Sequence, residues 1–328
     1  MRLTIAEARA LTERAMAAVG HTPEDAAIIS DHLIDCELRG LSFGGLARAV
    51  SISERVAAHG DNRRPIAITR ETPVSAHLDG GDHIGYVVGH RAMTLAIDKA
   101  RQQGIAVVGA NNTWYTGMLS YYAEMGTRQD LVSMIASNAA PWVAPQGATQ
   151  GRFGTNPICY AFPATGDPVI WDIGTSAIMH GEILLNRRLG RELPEGSAYG
   201  PDGRETRDPD AALLGAIAVW GGHRGSGLAM AVQLLGALCN SPALPKGLGE
   251  FGCLFVVMRP DLMMSTTEFK ANVAEYANAV RAARPIAGGP PVRVPFERSA
   301  AARRKALAAG VIEVADPVHA RLVEIAGR

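Results

Sequence analysis

Four glycine-rich loops carry most of the polar chemistry in this 328-residue chain: NNTWYTG (111–117), SNAAPWVAPQGATQGRFGTNP (137–157), WDIGTS (171–176) and AVWGGHRGSG (218–227). Each stands at the end of a strand-like run or just ahead of a helix-like one. Glycine there lets backbone N–H groups approach a ligand closely, and a helix N-terminus favours anionic groups. Arg224 adds a guanidinium suited to phosphate. A single glycine cluster reads as a turn, whereas four in one chain point to a ligand site. The common cofactor and catalytic fingerprints are absent. No G-x-G-x-x-G follows a strand, and neither G-x-x-x-x-G-K-[ST] nor H-E-x-x-H occurs. A standard dinucleotide fold, P-loop chemistry and a metal site therefore have no support.

The loops need a scaffold, and the apolar periodicity predicts one. Thr4 and Glu7 have capping-box spacing ahead of an amphipathic run to Gly20. Thr22-Pro23 opens a second helix with Ile29, Leu33 and Cys36 inward, and a third spans 45–60 with Leu46, Val50 and Ala57 inward. A helix follows over 86–103, stopped by Gly104. Short apolar runs at 105–110, 131–137, 158–162, 169–173 and 251–258 fit strands of a covered sheet. Ser265 and Glu268 open another helix, residues 283–295 form a Pro/Gly-rich connector, and two helices close the chain. The expected architecture has helices at both ends and a mixed α/β body between them.

Composition narrows the function. Lys+Arg and Asp+Glu both count 32, so the formal net charge is +0. That excludes a protein whose main task is to coat nucleic acid or an anionic membrane. The 4 cysteines form no C-x-x-C pair, which predicts free buried thiols. The N-terminal segment has no apolar signal core, and the most apolar helical stretch, 226–239, is too short to span a bilayer and is interrupted by Gln233. The expectation is a cytoplasmic protein without a metal.

The blocks GTNP (154–157), DIGTS (172–176), LPEG (193–196), DG-x-x-TRDP (202–209) and GGHRGSGL (221–228) resemble, in order and spacing, the malate/L-lactate dehydrogenase family of the L-sulfolactate, ureidoglycolate and 2,3-diketogulonate type. The resemblance covers nearly the whole chain. It implies an α/β, L-sulfolactate dehydrogenase-like fold that binds NAD or NADP without a Rossmann motif. A helical, substrate-covering domain from residues 1–72 plus 284–328 would cap a cofactor-binding α/β domain at 73–283. It further implies a homodimer and hydride exchange with a small carboxylate substrate, either a 2-oxo acid or a cyclic 2-imino acid. The cofactor contacts it points to are Tyr115, Gly117, Ser137, Asp172, Gly174, Thr175, His223 and Arg224, with Glu297 or Arg298 reaching in from the C-terminal segment.

Two departures bear on the chemistry. The family block R-G-x-x-S-H-G is here RGLSFGGLAR (39–48), so Phe43 and Gly44 stand in place of Ser-His, while the substrate-binding arginine is matched by Arg48. The block S-x-H-F-G is here TWYTG (113–117), with Tyr115 in place of the acid/base histidine. Reducing a 2-oxo acid needs a cation for the carboxylate and a donor for the developing alkoxide. Arg48 suits the first need. For the second, Tyr115 is either a proton donor or an aromatic platform for the nicotinamide, and His180 is either an acid/base or an ordinary helix histidine. A protonated cyclic imine arrives carrying its own proton, which suits a site stripped of histidine. Phe43 and Gly44 predict a bulkier or more apolar substrate than malate or lactate. The altered pair also fits two other readings: a cofactor-binding homologue without redox turnover, and a non-redox lyase or isomerase.

Overall fold

Thr4 and Glu7 do form a capping box, each bonding the other's backbone N–H, and it starts the first helix. The computed structural model, which describes residues 1–327, begins with β1 (Arg2–Thr4), α1 (Ile5–Ala18), α2 (Pro23–Leu38) and α3 (Leu46–His59). A body follows of β2 (Ala67–Thr72), β3 (Ser75–Asp79), α4 (Gly85–Gln103), β4 (Ile105–Thr113), α5 (Leu119–Thr127), β5 (Val132–Ser137), β6 (Ile158–Phe162) and β7 (Val169–Ile173). Next come α6 (His180–Arg188), β8 (Ala198–Tyr199), α7 (Pro209–Leu214), β9 (Ala216–Ile217), α8 (Gly222–Leu238) and β10 (Phe251–Met258). The chain closes with α9 (Thr266–Arg281), α10 (Glu297–Ala309), β11 (Val311–Glu313) and α11 (Asp316–Ala326).

The central sheet has seven strands in the order β2-β3-β4-β10-β5-β6-β7. Every pair is antiparallel except β3 with β4, which the crossover helix α4 joins. Alternate residues face opposite layers. Ile135, Cys159 and Ala161 pack with α4 and α5, whereas Ala136 and Ile158 pack with Val232 of α8. The sheet is thus covered on both sides at β5 and β6, which explains why those strands read as continuous apolar runs.

The chain ends meet. β1 pairs with β11, and Ile29, Leu33, Leu46 and Ile52 share one core with Val318, Leu322 and Ile325 of α11. The inward face of α3 differs from expectation at one place. Leu46 and Val50 are buried, but Ala57 is exposed, because α3 leaves the core in its last turn and ends at Gly60. The apolar helix predicted at 226–239 is α8, and its polar interruption has a structural task. Buried Gln233 accepts from the Gly154 N–H and from Asn156 Nδ2, so it fixes the GTNP turn against the helix.

Candidate active site

The turn between α2 and α3, the 115–118 turn, the 138–157 loop and the start of α6 surround a cavity of about 250 Å³. Arg48 enters it from the first turn of α3. Its guanidinium lies 4.2 Å above the centre of the Tyr115 ring. Gly181 gives it room, since a Cβ there would run into the guanidinium. Among the described residues no carboxylate pairs with Arg48, and its Nη1 is buried without a partner. An orphaned buried guanidinium N–H is costly unless something fills the cavity to receive it.

The start of α3 is held from outside the helix. Gly45, its N-cap, supplies no capping side chain, and Glu37 of α2 occupies the space where one would stand. Glu37 Oε1 accepts the Leu46 N–H at 2.7 Å. Burial raises the Glu37 carboxyl to about 7, against the opposing pull of its bonds from Leu46 and Ser42. No motif signals this residue, because the cap is supplied across two helices.

Tyr115 sits in a left-handed turn at φ +52, and Gly117 follows at φ +74. A non-glycine residue there is uncommon, and two observations account for it. The Tyr115 ring meets Trp114 edge-on at 5.4 Å, and the turn is tied down by His32. His32 is fully buried among Tyr86, Tyr121 and Tyr122, and its Nε2 accepts the Met118 N–H at 2.9 Å. Burial holds its imidazole neutral, with a pKa near 3. It braces the wall rather than facing the ligand, in keeping with the core role expected of a histidine outside the motifs.

His180 opens α6 and stacks flat on Trp142, with ring centres 4.0 Å apart. Burial and the nearby Arg48 charge lower its pKa to about 3, so the imidazole is neutral at physiological pH. Its Nδ1 has no partner. Asp172 is on the lining but is committed: it accepts the Ser120 N–H at 2.7 Å and so caps α5. Burial raises its pKa.

The structure sorts the other expected residues. Phe43, Gly44, Gly117 and Gly174 line the cavity together with Arg48, Tyr115, Asp172 and His180. Ser137 and Thr175 are fully buried one layer behind the wall. Thr116 donates to Ser137, and Thr175 donates to the Thr155 carbonyl, so the residues they bond are the ones facing the cavity. His223 and Arg224 are exposed in the first turn of α8, off the cavity. The Trp220 N–H to the Thr175 carbonyl, at 2.8 Å, places that turn beside the Gly174 wall. Glu297 is drawn to Arg281 and the Val294 N–H and is not on the lining; neither is Arg298. Sequence reasoning missed Tyr86, Trp142, Met179 and Phe251, which supply much of the lining. Trp142 lay inside a quoted loop, but nothing local to it signalled the stack on His180.

The sequence profile of the malate/L-lactate dehydrogenase family matches residues 3–323. The L-sulfolactate dehydrogenase of Methanocaldococcus jannaschii is 34% identical over 278 residues, covering 82% of this chain and 81% of that protein. The Δ1-pyrroline-2-carboxylate reductase of Ancylobacter novellus is 31% identical over 323 residues, covering 95% and 94%. A solved dehydrogenase structure from Sinorhizobium meliloti superimposes with a TM-score of 0.91 at 31% identity, covering 99% of this chain and 98% of that one.

Proposed function

This chain belongs to the malate/L-lactate dehydrogenase family and is a nicotinamide-dependent oxidoreductase, and we propose from that premise that its cavity exchanges hydride with the C2 carbon of a 2-oxo acid or cyclic 2-imino acid. The observation that carries the reading is Arg48, a cation without a carboxylate partner among the described residues, facing a largely apolar cavity. A substrate carboxylate would accept its free N–H.

The residues present fit a nicotinamide cofactor. Gly117 and Gly174 offer bare backbone on the lining, because a Cβ would strike Tyr86 and His32 at the first and Met179 at the second. The first turn of α8 has no capping side chain, so its N–H groups, with His223 and Arg224, suit a diphosphate. When bound, the cofactor supplies hydride to C2 or takes it away. The chain's own residues hold the acid and exclude water. Tyr115 is the platform under Arg48. Trp142 and Phe251 form the apolar side.

His180 is neutral, so it is a poor general acid and, with so low a pKa, a poor general base. We assign it the part of a neutral N–H donor to a developing oxyanion. A protonated cyclic imine has no need of that donor, and so it suits this site better than a ketone.

We read residues 1–72 with 284–328 as the covering part and 73–283 as the cofactor body, with β2 counted in the sheet into which it pairs. The β1–β11 pairing supports joining the two chain ends. A homodimer is supported by Met230, Leu234 and Leu238, which form an exposed apolar stripe on α8 at four-residue spacing. Four buried free thiols support a reducing compartment, the cytoplasm. Among the described residues no helix is long and apolar enough to cross a membrane.

The test is oxidation of NADH and NADPH by the purified protein, followed by nicotinamide absorbance, against a panel of 2-oxo acids and cyclic 2-imino acids. Turnover of either class is expected. Cofactor binding without turnover of any member would refute the reading.

A further inference from the structure

The inference rests on the reading of the cavity as a carboxylate-directed reductase site. Among the described residues, Arg48 is the one Lys or Arg side chain on the lining. The single lining carboxylate, Asp172, is taken up by the N-terminus of α5, and His180 is neutral. The rest is chiefly apolar: Leu41, Phe43, Met118, Trp142, Met179 and Phe251. A substrate with one carboxylate finds its partner in Arg48. A second carboxylate or a sulfonate would be desolvated against apolar walls with no cation to receive it.

Gly44 sets the space beside this charge. It differs from its neighbours Gly45 and Gly181, where a Cβ would strike Glu37 or Arg48. At Gly44 a Cβ would stand 3.4 Å from Cys36 Sγ and 3.5 Å from the Leu41 carbonyl, which is ordinary contact. Its φ is not in the left-handed region. Neither backbone strain nor close approach therefore requires glycine there, and its effect is to leave room. Cys36 and Leu41, which border that room, and the adjacent Phe43 all line the cavity.

We propose that Cys36, Leu41, Phe43 and Gly44 form a specificity subsite for the apolar substituent of a monocarboxylic substrate, and that the enzyme rejects dicarboxylic and sulfonated acids. Ring methylenes of a cyclic imino acid, a branched aliphatic chain or an aryl group all suit it. The proposal separates this chain from relatives named for malate and sulfolactate.

The experiment is kcat/KM of the full chain, with whichever nicotinamide cofactor it uses, for pyruvate, oxaloacetate, 3-sulfopyruvate, 4-methyl-2-oxopentanoate, phenylpyruvate and Δ1-piperideine-2-carboxylate. The best apolar monoacid should exceed oxaloacetate and sulfopyruvate by about 100-fold or more. Gly44→Val should lower the ratio of the preferred large substrate to pyruvate by about 10-fold. Gly44→Ala, a smaller change, should move the same ratio in the same direction. Preference for oxaloacetate or sulfopyruvate, or an equal loss on all substrates in both variants, would overturn the subsite. Silence across the whole panel would instead refute the reductase reading on which it stands.

Discussion

Arg39 and Arg48 come from one short block, RGLSFGGLAR, yet the fold treats them in opposite ways. Arg39 is fully buried and held by internal carboxylates. It bonds Asp35 at 2.7 Å and Glu124 at 2.8 Å, and it lies 4.6 Å above the Phe296 ring. Arg303 of α10 closes the network onto the same two carboxylates at 2.8 and 3.1 Å. Those four charges join α2, α5 and α10. Each arginine has a ring beneath it and one buried nitrogen without a partner, but Arg48 has no carboxylate among the described residues. The same side chain is thus a structural residue where it is buried among internal partners and a binding residue where it is half-buried and its partner must arrive from outside. The first should be read in stability and the second in kinetics.

The largest expected effect breaks this comparison at Arg48. Arg48→Ala should lower kcat/KM for the preferred acid by about 10³-fold, since a charge-assisted carboxylate contact is worth roughly 2–5 kcal/mol. Arg48→Lys should recover only part, because an ammonium cannot offer parallel donors. Urea unfolding midpoints of both variants should stay near that of the wild type. A large fall in the midpoint with little kinetic change would make Arg48 a structural residue.

Arg39→Met sharpens the other side. It leaves Arg303 as the cation shared by Asp35 and Glu124, with Arg128 reaching only Glu124, and burial already pushes the Asp35 carboxyl upward. Breaking one partner of a buried network costs about 3–5 kcal/mol. Equilibrium unfolding should show that loss, with the KM of the folded fraction little moved. An unchanged unfolding curve would show that the network does not hold the helices together.

His180→Phe asks what the cavity does beyond binding. Phenylalanine keeps a flat ring against Trp142 and removes only the neutral N–H. Turnover of 2-oxo acids should drop by about 10- to 100-fold, the range for a lost donor to developing charge. Turnover of a cyclic 2-imino acid should fall much less. Equal losses on both classes would assign His180 a packing role.

The contrast between the two arginines was only half legible in the sequence. Local signals served well where the physics is local. The Thr4–Glu7 box, the Thr22-Pro23 start and the Gly104 stop all stand where spacing put them. The loop blocks identified the family, and Arg48, Phe43, Gly44 and Tyr115 do converge on one cavity. Ser137 and Thr175 are buried behind the cavity wall, the first at the end of β5 and the second in the turn after β7, where its hydroxyl is drawn to the Thr155 carbonyl. The pairing of β1 with β11 involves three-residue strands at opposite ends of the chain, too short for any periodicity to show. The His180–Trp142 stack and the Glu37 cap join distant segments, and no local pattern encodes them.

The smallest effect concerns Glu37, which bears on Arg48 only by fixing the start of α3. Its folded pKa is raised from 4.5 to about 7, so between those values the native state holds a proton that the unfolded state has released. The Glu37 contribution to stability is therefore greatest at acid pH and declines as pH rises through that window. Buried His21, His32 and His180, each lowered to about 3, slope the other way and weaken the fold as pH drops below 6.5. Because those histidines act equally in both proteins, the difference between the wild type and Glu37→Gln isolates the glutamate. Glutamine keeps an acceptor for Leu46 but cannot ionise. Urea midpoints of the two proteins should therefore diverge from pH 5 to pH 8, with the variant gaining relative to the wild type. A constant difference across that range would mean that Glu37 titrates normally and that its cap on α3 carries no pH dependence to the arginine beyond it.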